Sequence, residues 1–334
     1  MIKKIFRYGL NFIYYIFNFN LIIAIRLYLV SLFKINNKKY EYFKYKHNVI
    51  LIYLKKKLKK TISKYKNKRN NIVSFNEKYP IWVFWWEGKE NLPVICNTCY
   101  ETIKYFSDGH KINFITKDNY KDFVNIPDYF IKKVEKKRYS LTFFSDVLRM
   151  CLLYEHGGLW LDLTVLLTKQ LQPLPEICSH LGFWVPKDNG DIIQTCFGAK
   201  NWIIREGRWL SFCIYTSKNN LLPEYARELF FEYTRKFNKL IDYFLVDYII
   251  SIAYDTNIDI RVMIDSVPDN NPKIHEILHR LNMNYEYNKK LFDEITEKNN
   301  FHKLNWKENF YENTEENKLT NYGYIIKNYP PESI

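Results

Sequence analysis

SLTFFSDVLRMCLLYEHGGLWLDLTVLLT, residues 140–168, is the stretch that decides the fold. Apolar residues recur at helical spacing in its first half, so residues 141–156 are predicted to form a helix with one buried face. Ser140 or Thr142 is expected to cap the start of that helix. The two glycines that follow are expected to end it, because glycine readily adopts the left-handed conformation found at helix ends.

The second half, LWLDLTVLL (159–167), is apolar almost throughout and predicts one central strand covered on both faces. Asp162 interrupts it, and a buried carboxylate is costly unless a cation, or hydroxyls bound at a strand end, compensates it. Asp146 and Arg149 lie three residues apart on the helix, so they share a face. The plain alternative is a weak surface ion pair and one aspartate at a strand end.

The whole string, SDVLR followed by a short apolar run, two glycines and WLDLT, resembles the sugar-transferase signature of the capsular polysaccharide synthesis family. That family is similar to glycosyltransferases with the DXD sugar-binding motif and, more distantly, to the glucosylating toxins. The resemblance covers residues 79–310. It implies an α/β, GT-A-like fold, a Rossmann-type mixed sheet flanked by helices.

The implied activity is that of a hexosyltransferase. A sugar would move from a nucleotide-sugar donor, UDP-linked and with retention of anomeric configuration, to a surface or capsular glycan or its lipid-linked precursor. No glycine-rich phosphate loop of the P-loop or Rossmann type is present, which excludes kinase and dehydrogenase classes.

The resemblance also assigns residues to the sugar. Asp146 and Arg149 are expected to hold donor hydroxyls, and arginine suits this role because its guanidinium offers several fixed donors. Asp247, at the end of DYFLVD (242–247), is a candidate contact for the sugar or the acceptor. The alternative for Asp247 is a solvated helix face.

A divalent cation, manganese or magnesium, is implied at the DXD-like positions Asp162 and Thr164, with His302 of FHKLNWK (301–307) as a further ligand or phosphate contact. Thr164 departs from the acidic pattern, and a hydroxyl binds a hard cation more weakly than a carboxylate does, which puts metal dependence in question. Lys303 or Lys307 is expected to neutralise the diphosphate, since the leaving group is anionic.

Aromatic residues are implied at the nucleotide. IWVFWWEG (81–88) resembles the first strand of the family, where an aromatic side chain stacks on the base. Trp85 is the best candidate, with Trp82 and Trp86 as alternatives, and Trp160 is added as a donor contact. Core packing is the ordinary explanation for any one of these tryptophans.

The chain is predicted to divide into an N-terminal helical segment, residues 1–69, and a glycosyltransferase domain, residues 70–334. The net charge is +14, and residues 34–69 alone contain fourteen lysines and arginines against one acid, Glu41. The remainder from residue 70 is slightly acidic, which argues against nucleic acid as a partner of the main domain.

Residues 8–33 are long enough to span a bilayer, but three asparagines and Arg26 make a transmembrane helix costly. We favour a helix lying in the membrane interface, with KKKLKK (55–60) attracted to anionic lipid. The expected location is therefore cytoplasmic, peripheral on the inner face of the cell membrane, and six scattered cysteines agree with a reducing compartment. The alternative is a buried helix pair followed by a solvated basic helix.

The rest of the chain reads as alternating strands and helices. Strands are predicted at residues 81–86, 111–116, 182–185 and 192–198, and helices at 93–106, 209–215 and 223–239.

One motif points to different chemistry. HEILH places His275 and His279 on one helical face with Glu276 between them, the pattern of a zinc metallopeptidase. A third ligand is only loosely available from Glu294 or Glu297, so we prefer a helix with two partly exposed histidines. A non-catalytic glycan-binding or membrane-surface protein with the same fold is the remaining alternative, because of Thr164.

Overall fold

A computed structural model describes residues 2–35, 39–71, 78–172, 174, 180–187, 204 and 209–331. In chain order its α-helices are α1 (Ile2–Asn18), α2 (Leu21–Ile35), α3 (Lys39–Lys57), α4 (Lys59–Tyr65), α5 (Val94–Tyr105), α6 (Asp128–Glu135), α7 (Leu141–His156), α8 (Leu221–Lys236), α9 (Leu245–Thr256), α10 (Ile258–Asp265), α11 (Lys289–Lys298) and α12 (Asn321–Asn328). The strands are β1 (Ile81–Phe84), β2 (Ile112–Ile115), β3 (Gly158–Leu161), β4 (Val165–Leu167), β5 (Phe183–Trp184), β6 (Cys213–Thr216) and β7 (Phe301–Lys303).

A five-stranded mixed sheet has the order β2-β1-β3-β6-β5. Strand β1 pairs in parallel with β2 and β3, whereas β6 pairs antiparallel with β3 and β5. A second, two-stranded sheet joins β4 to β7 in antiparallel register. The predicted mixed sheet flanked by helices is confirmed, and its central member is the buried strand β3.

Helix α7 forms over the predicted range because its local signals agree. The Ser140 hydroxyl accepts a hydrogen bond from the Phe143 N–H at 3.2 Å, which makes Ser140 the cap. The helix ends at Gly157, whose φ of +68° lies in the left-handed region. Ten of its residues are buried, and eight of them, residues 146–153, are consecutive, so the middle of the helix is buried on all sides rather than on the one predicted face.

The single strand predicted over residues 159–167 is wrong in one respect. Strand β3 ends before Asp162, a turn follows, and β4 then pairs with β7 in the other sheet. The Val165 N–H donates to the Asp162 carbonyl at 2.9 Å and closes the turn. Asp162 therefore lies at the carboxyl end of the central strand rather than within a continuous ladder.

Most other elements lie near their predicted positions. Strands β1, β2 and β5 and helices α5 and α8 fall on predicted ranges. The helix predicted over 209–215 is wrong, because Cys213–Thr216 forms β6 and pairs with β3. The strand predicted at 192–198 lies outside the described residues.

The N-terminal segment is a pair of helices rather than the one predicted interfacial helix. The break falls at Asn20, whose side chain accepts from the Ile23 N–H at 2.9 Å and caps α2. Helix α2 packs on α1 and α3. Within the described part of the chain, every helix is too short or too polar to cross a bilayer.

Helices α3 and α4 pack directly against the rest of the molecule. Lys55 pairs with Asp255 at 2.7 Å, and the Thr61 N–H donates to the Glu232 carboxylate at 2.9 Å. Asn257 donates to the carbonyl of Tyr65 at 2.8 Å. A domain boundary between residues 69 and 70 stays a prediction.

Candidate active site

A cavity of about 820 Å³ opens where β1 and β3 end. Open α/β sheets place ligands in the crevice outside the carboxyl ends of their strands. Seven of the described segments line this cavity: the chain from the end of β1 to the start of α5, the first half of α7, the turn after β3, the chain just before β6, the start of α9, residues 275–279, and the end of β7 with the residues that follow it. The predicted residues Trp85, Asp146, Arg149, Asp162 and Lys303 all contribute to its wall.

The Asp162 carboxylate accepts hydrogen bonds from three side chains of the cavity wall. Its Oδ1 accepts from Arg149 Nη2 at 3.0 Å and from Trp160 Nε1 at 2.9 Å, while its Oδ2 accepts from Lys303 Nζ at 3.0 Å. Burial favours the neutral carboxyl, but Lys303 and then Arg149 outweigh burial and hold the pKa of Asp162 below its ordinary value. Asp162 is thus an anion fixed between two cations.

Arg149 donates hydrogen bonds to the carboxylates of both Asp146 and Asp162. Its Nη1 donates to Asp146 Oδ1 at 3.0 Å, one turn back along α7, and its guanidinium lies 4.8 Å from the centre of the Trp160 ring. Only 3% of Arg149 is exposed. The interpretation of Asp146 and Arg149 as a solvated surface pair is therefore wrong. The pair is a fixed donor and acceptor unit at the cavity wall.

Asp247 faces the same cavity from the first turn of α9. It is buried, and its Oδ1 accepts from Trp209 Nε1 at 3.1 Å. Burial, assisted by the nearby negative charge of Asp146, raises the pKa of Asp247 to about 7. The alternative of a solvated helix face is wrong for this residue.

Trp85 is the tryptophan best placed to meet a ligand. It is half-buried in the cavity wall and makes an edge-to-face contact with Trp306, the ring centres 5.3 Å apart. Trp306 is 41% exposed and was missed as a site residue, although it lies within the quoted FHKLNWK. Trp86 also lines the cavity, but its ring packs against Tyr120 and Phe144.

Two other tryptophans, Trp82 and Trp160, are buried in the protein core. Trp82, an alternative to Trp85 for base stacking, is buried, donates to the Gly157 carbonyl at 2.7 Å and lies outside the described cavity lining. Trp160 lines the cavity, but its ring is buried beneath Arg149. Its indole N–H orients Asp162, so its role is positioning.

His302, predicted as a metal or phosphate ligand, lies outside the described lining of the cavity. Successive side chains of a strand point to opposite faces, and in β7 Lys303 faces the cavity while His302 faces the core. The imidazole is fully buried, and its Nε2 lies 3.1 Å from the Thr168 hydroxyl. Burial lowers the pKa of His302 to about 3, so the ring is neutral.

The residues left for a divalent cation do not fit one. Of the predicted trio, the Asp162 carboxylate and the Thr164 hydroxyl both accept hydrogen bonds from Lys303. Across the ranges that the structure describes, no group of three or more His, Cys, Asp or Glu side chains could hold a metal ion. The ammonium of Lys303 therefore occupies the two oxygen-bearing side chains through which the DXD-like positions would bind a cation.

The lack of a group of metal-binding side chains among the described residues also tests the zinc motif HEILH, residues 275–279. His275 and His279 both line the cavity, with ring centres 6.2 Å apart, but the segment continues as a π-helix over Ile277–Asn282. His279 is exposed, as predicted for both, but His275 is buried, and burial lowers its pKa to about 3. No third zinc ligand joins them among the residues described. Among the described residues, the segment therefore forms no three-ligand zinc site of the metallopeptidase kind.

Comparison with known families supports the interpretation of the central stretch. A family model described as capsular polysaccharide synthesis protein matches residues 31–323. The chain belongs to this family. The match contains the whole Asp162 network and the Trp85–Trp306 pair. No curated protein matches the chain. The relation to the DXD glycosyltransferases and the GT-A fold stays a prediction.

Proposed function

We propose that this member of the capsular polysaccharide synthesis family is a glycosyltransferase. It would move a sugar from a UDP-linked donor, with retention, to a capsular or surface glycan or to its lipid-linked precursor. The observation that carries the proposal is the bonded chain Asp146–Arg149–Asp162–Lys303, buried at Asp146 and Arg149 and half-buried at Asp162 and Lys303, at the wall of a large cavity. Charged groups fixed in this way suit the recognition of hydroxyls and a diphosphate.

The cavity offers a place for each part of the donor. The nucleobase would stack at Trp85 and Trp306, since base stacking on aromatic rings is favourable for every base. The diphosphate would lie against Lys303 and the exposed Lys307, and the sugar hydroxyls against Asp146 and Arg149. Asp247 would contact the sugar or the acceptor from the first turn of α9, close to Asp146.

The chemical step needs no side chain as a nucleophile. The bond from the anomeric carbon to the diphosphate oxygen breaks, and its electron pair leaves with the diphosphate. The acceptor oxygen bonds to the same carbon, and its proton passes to the departing diphosphate. Lys303 and Lys307 would stabilise the negative charge that develops on the leaving group, while the wall fixes the reactants.

The N-terminal helices support a lipid-linked acceptor and a peripheral position on anionic membrane. Helices α1 and α2 leave an apolar surface exposed, here named the hairpin surface: Leu10, Ile13, Phe17, Leu21, Ile22, Ile25, Tyr28, Leu29 and Leu32. The lysine-rich helices α3 and α4 follow it in the chain. Apolar side chains flanked by basic ones match the chemistry of an anionic lipid surface.

The test of the transferase proposal is release of sugar from a panel of UDP- and GDP-sugars by the full chain. We expect slow hydrolysis of one donor, reduced by about 100-fold or more in Asp162→Asn, because the network that orients Arg149 and Lys303 is lost. The control is Asp118→Asn, an exposed aspartate outside the cavity, which should match wild type.

Trp85→Ala gives a second readout that does not depend on the buried network. Loss of stacking should weaken UDP binding by about 5- to 150-fold, the equivalent of about 1–3 kcal/mol. Binding of a nucleotide sugar without any release would overturn the transferase in favour of a binding protein. Absence of both binding and hydrolysis would overturn the nucleotide-sugar assignment itself.

A further inference from the structure

We propose that Lys303 takes the place of the divalent cation that the DXD-like positions imply, so that donor use by this chain is independent of metal. The inference rests on the proposed function for its substrate, a nucleoside diphosphate sugar. It concerns the positive charge that neutralises the diphosphate of the donor. The family resemblance assigns that charge to manganese or magnesium.

The ammonium of Lys303 lies where a cation would bridge the two DXD-like residues. Its Nζ is 3.0 Å from Asp162 Oδ2 and donates to the Thr164 hydroxyl. The other oxygen of Asp162 is occupied by the N–H donors of Arg149 and Trp160. A metal entering here would have to displace Lys303 and would meet two positive side chains.

The backbone holds Lys303 in this position. Strand β7 pairs with β4 so that Lys303 lies opposite Val165, the residue after Thr164. The Lys303 N–H donates to the Ile274 carbonyl at 2.8 Å, and the Leu304 N–H donates to the Thr164 carbonyl at 2.7 Å. A charge fixed before the reaction stabilises a leaving group without the cost of reorganisation.

Among the residues that the structure describes, three carboxylates besides Asp162 line the cavity. Asp146 accepts from Arg149, and Asp247 accepts from Trp209. Glu87 lies in the wall at the exposed end of β1. A Mg²⁺ ion can bind through one or two carboxylates together with substrate phosphates, but here the ammonium of Lys303 already occupies both Asp162 and Thr164.

Titration of manganese into the full chain, followed by the electron paramagnetic resonance signal of free Mn²⁺, tests this directly. We expect wild type to leave the free signal undiminished. Lys303→Asp removes the ammonium and adds a carboxylate opposite Asp162, so it should bind about one equivalent of Mn²⁺. The control is Lys239→Asp, the same charge change at an exposed position outside the cavity, which should bind none.

The rate of donor hydrolysis provides a second test of metal independence. Hydrolysis of the donor by wild type should stay within about twofold between excess EDTA and added Mn²⁺, and Lys303→Met should lower it by about 100-fold in both. Stoichiometric Mn²⁺ binding by wild type, or hydrolysis abolished by EDTA, would overturn the inference. If no donor is hydrolysed, the proposed function fails, but the manganese titration still decides the role of Lys303, because it needs no turnover.

Discussion

The carboxyl group of Asp247 should make the stability of this protein depend on pH. Its pKa is about 7 in the folded chain, against an ordinary value of 3.8, because it is buried near Asp146. Between these values the folded state binds more protons than the unfolded state, so this contribution to the free energy of unfolding falls as pH rises. Asp247→Asn keeps an oxygen for Trp209 and removes the ionisation.

We therefore expect Asp247→Asn to gain stability relative to wild type by on the order of 2 kcal/mol between about pH 4 and about pH 8. Urea unfolding at both pH values measures this gain. Asp118→Asn, at an exposed position, should show no such change. An equal difference from wild type at both pH values would mean that Asp247 titrates normally in the folded protein.

Individual site residues were predictable where a local pattern constrained them. Asp146, Arg149 and Asp162 all line the predicted crevice, because a helix face and a strand end place them together. His302 and Lys303 could not be told apart in this way, since which face of β7 points to the cavity depends on its pairing with β4. Trp306 carried no signal beyond its position two residues after Leu304.

The junction between α7 and the central strand depends on a glycine that no other residue can replace. Gly158 has a φ of +100°, and a Cβ built on it would lie 2.2 Å from the Pro80 carbonyl oxygen. That carbonyl accepts the Leu159 N–H at 2.9 Å, so it cannot move without loss of the contact. Gly88 has a similar φ of +89° but nothing within 4 Å of a Cβ.

Gly158→Ala should lower the free energy of unfolding by about 3 kcal/mol or more, whereas Gly88→Ala should cost about 1 kcal/mol. The two variants share a positive φ and differ in the steric clash, so their difference reports chiefly on the close approach to Pro80. Urea unfolding at neutral pH measures both. Equal losses in the two variants would show that the junction relaxes around an added methyl group.

Helices and strands, like single residues, were predictable where their own sequence determines them and not where a distant partner does. Helix α7 was predicted to the residue, because its cap, its apolar spacing and its terminal glycines are all contained in the sequence that forms it. The turn after β3 and the strand character of Cys213–Thr216 were not. Both depend on partners far away in the chain, since β4 pairs with β7 and β6 pairs with β3.

The cavity and the hairpin surface are formed by different parts of the chain. The described wall of the cavity is built from seven segments between Phe84 and Lys307, whereas the hairpin surface belongs to the first 35 residues. Helices α3 and α4 connect the two, and they contact α9 and α8. A lipid-linked acceptor would give this arrangement a use, because membrane contact would raise the acceptor concentration near the cavity.

The hairpin surface should bind anionic vesicles. Phe17 is 84% exposed, so Phe17→Asp should leave folding unchanged while it places a charge where apolar contact with lipid is expected. We expect the full chain to float with vesicles containing phosphatidylglycerol, to bind neutral vesicles less, and to lose binding as salt rises, because salt screens the basic helices. Phe17→Asp should weaken vesicle binding by about 10-fold.

The matched control for this measurement is Tyr311→Asp, which introduces the same charge at another large side chain, 61% exposed and far along the chain from the hairpin surface. It should bind vesicles as wild type does. Equal binding by the two variants would remove lipid as the partner of the hairpin surface. Sedimentation that shows wild-type dimers, lost in Phe17→Asp, together with no vesicle binding, would assign the surface instead to a second copy of the chain, since exposed apolar patches also mediate self-association.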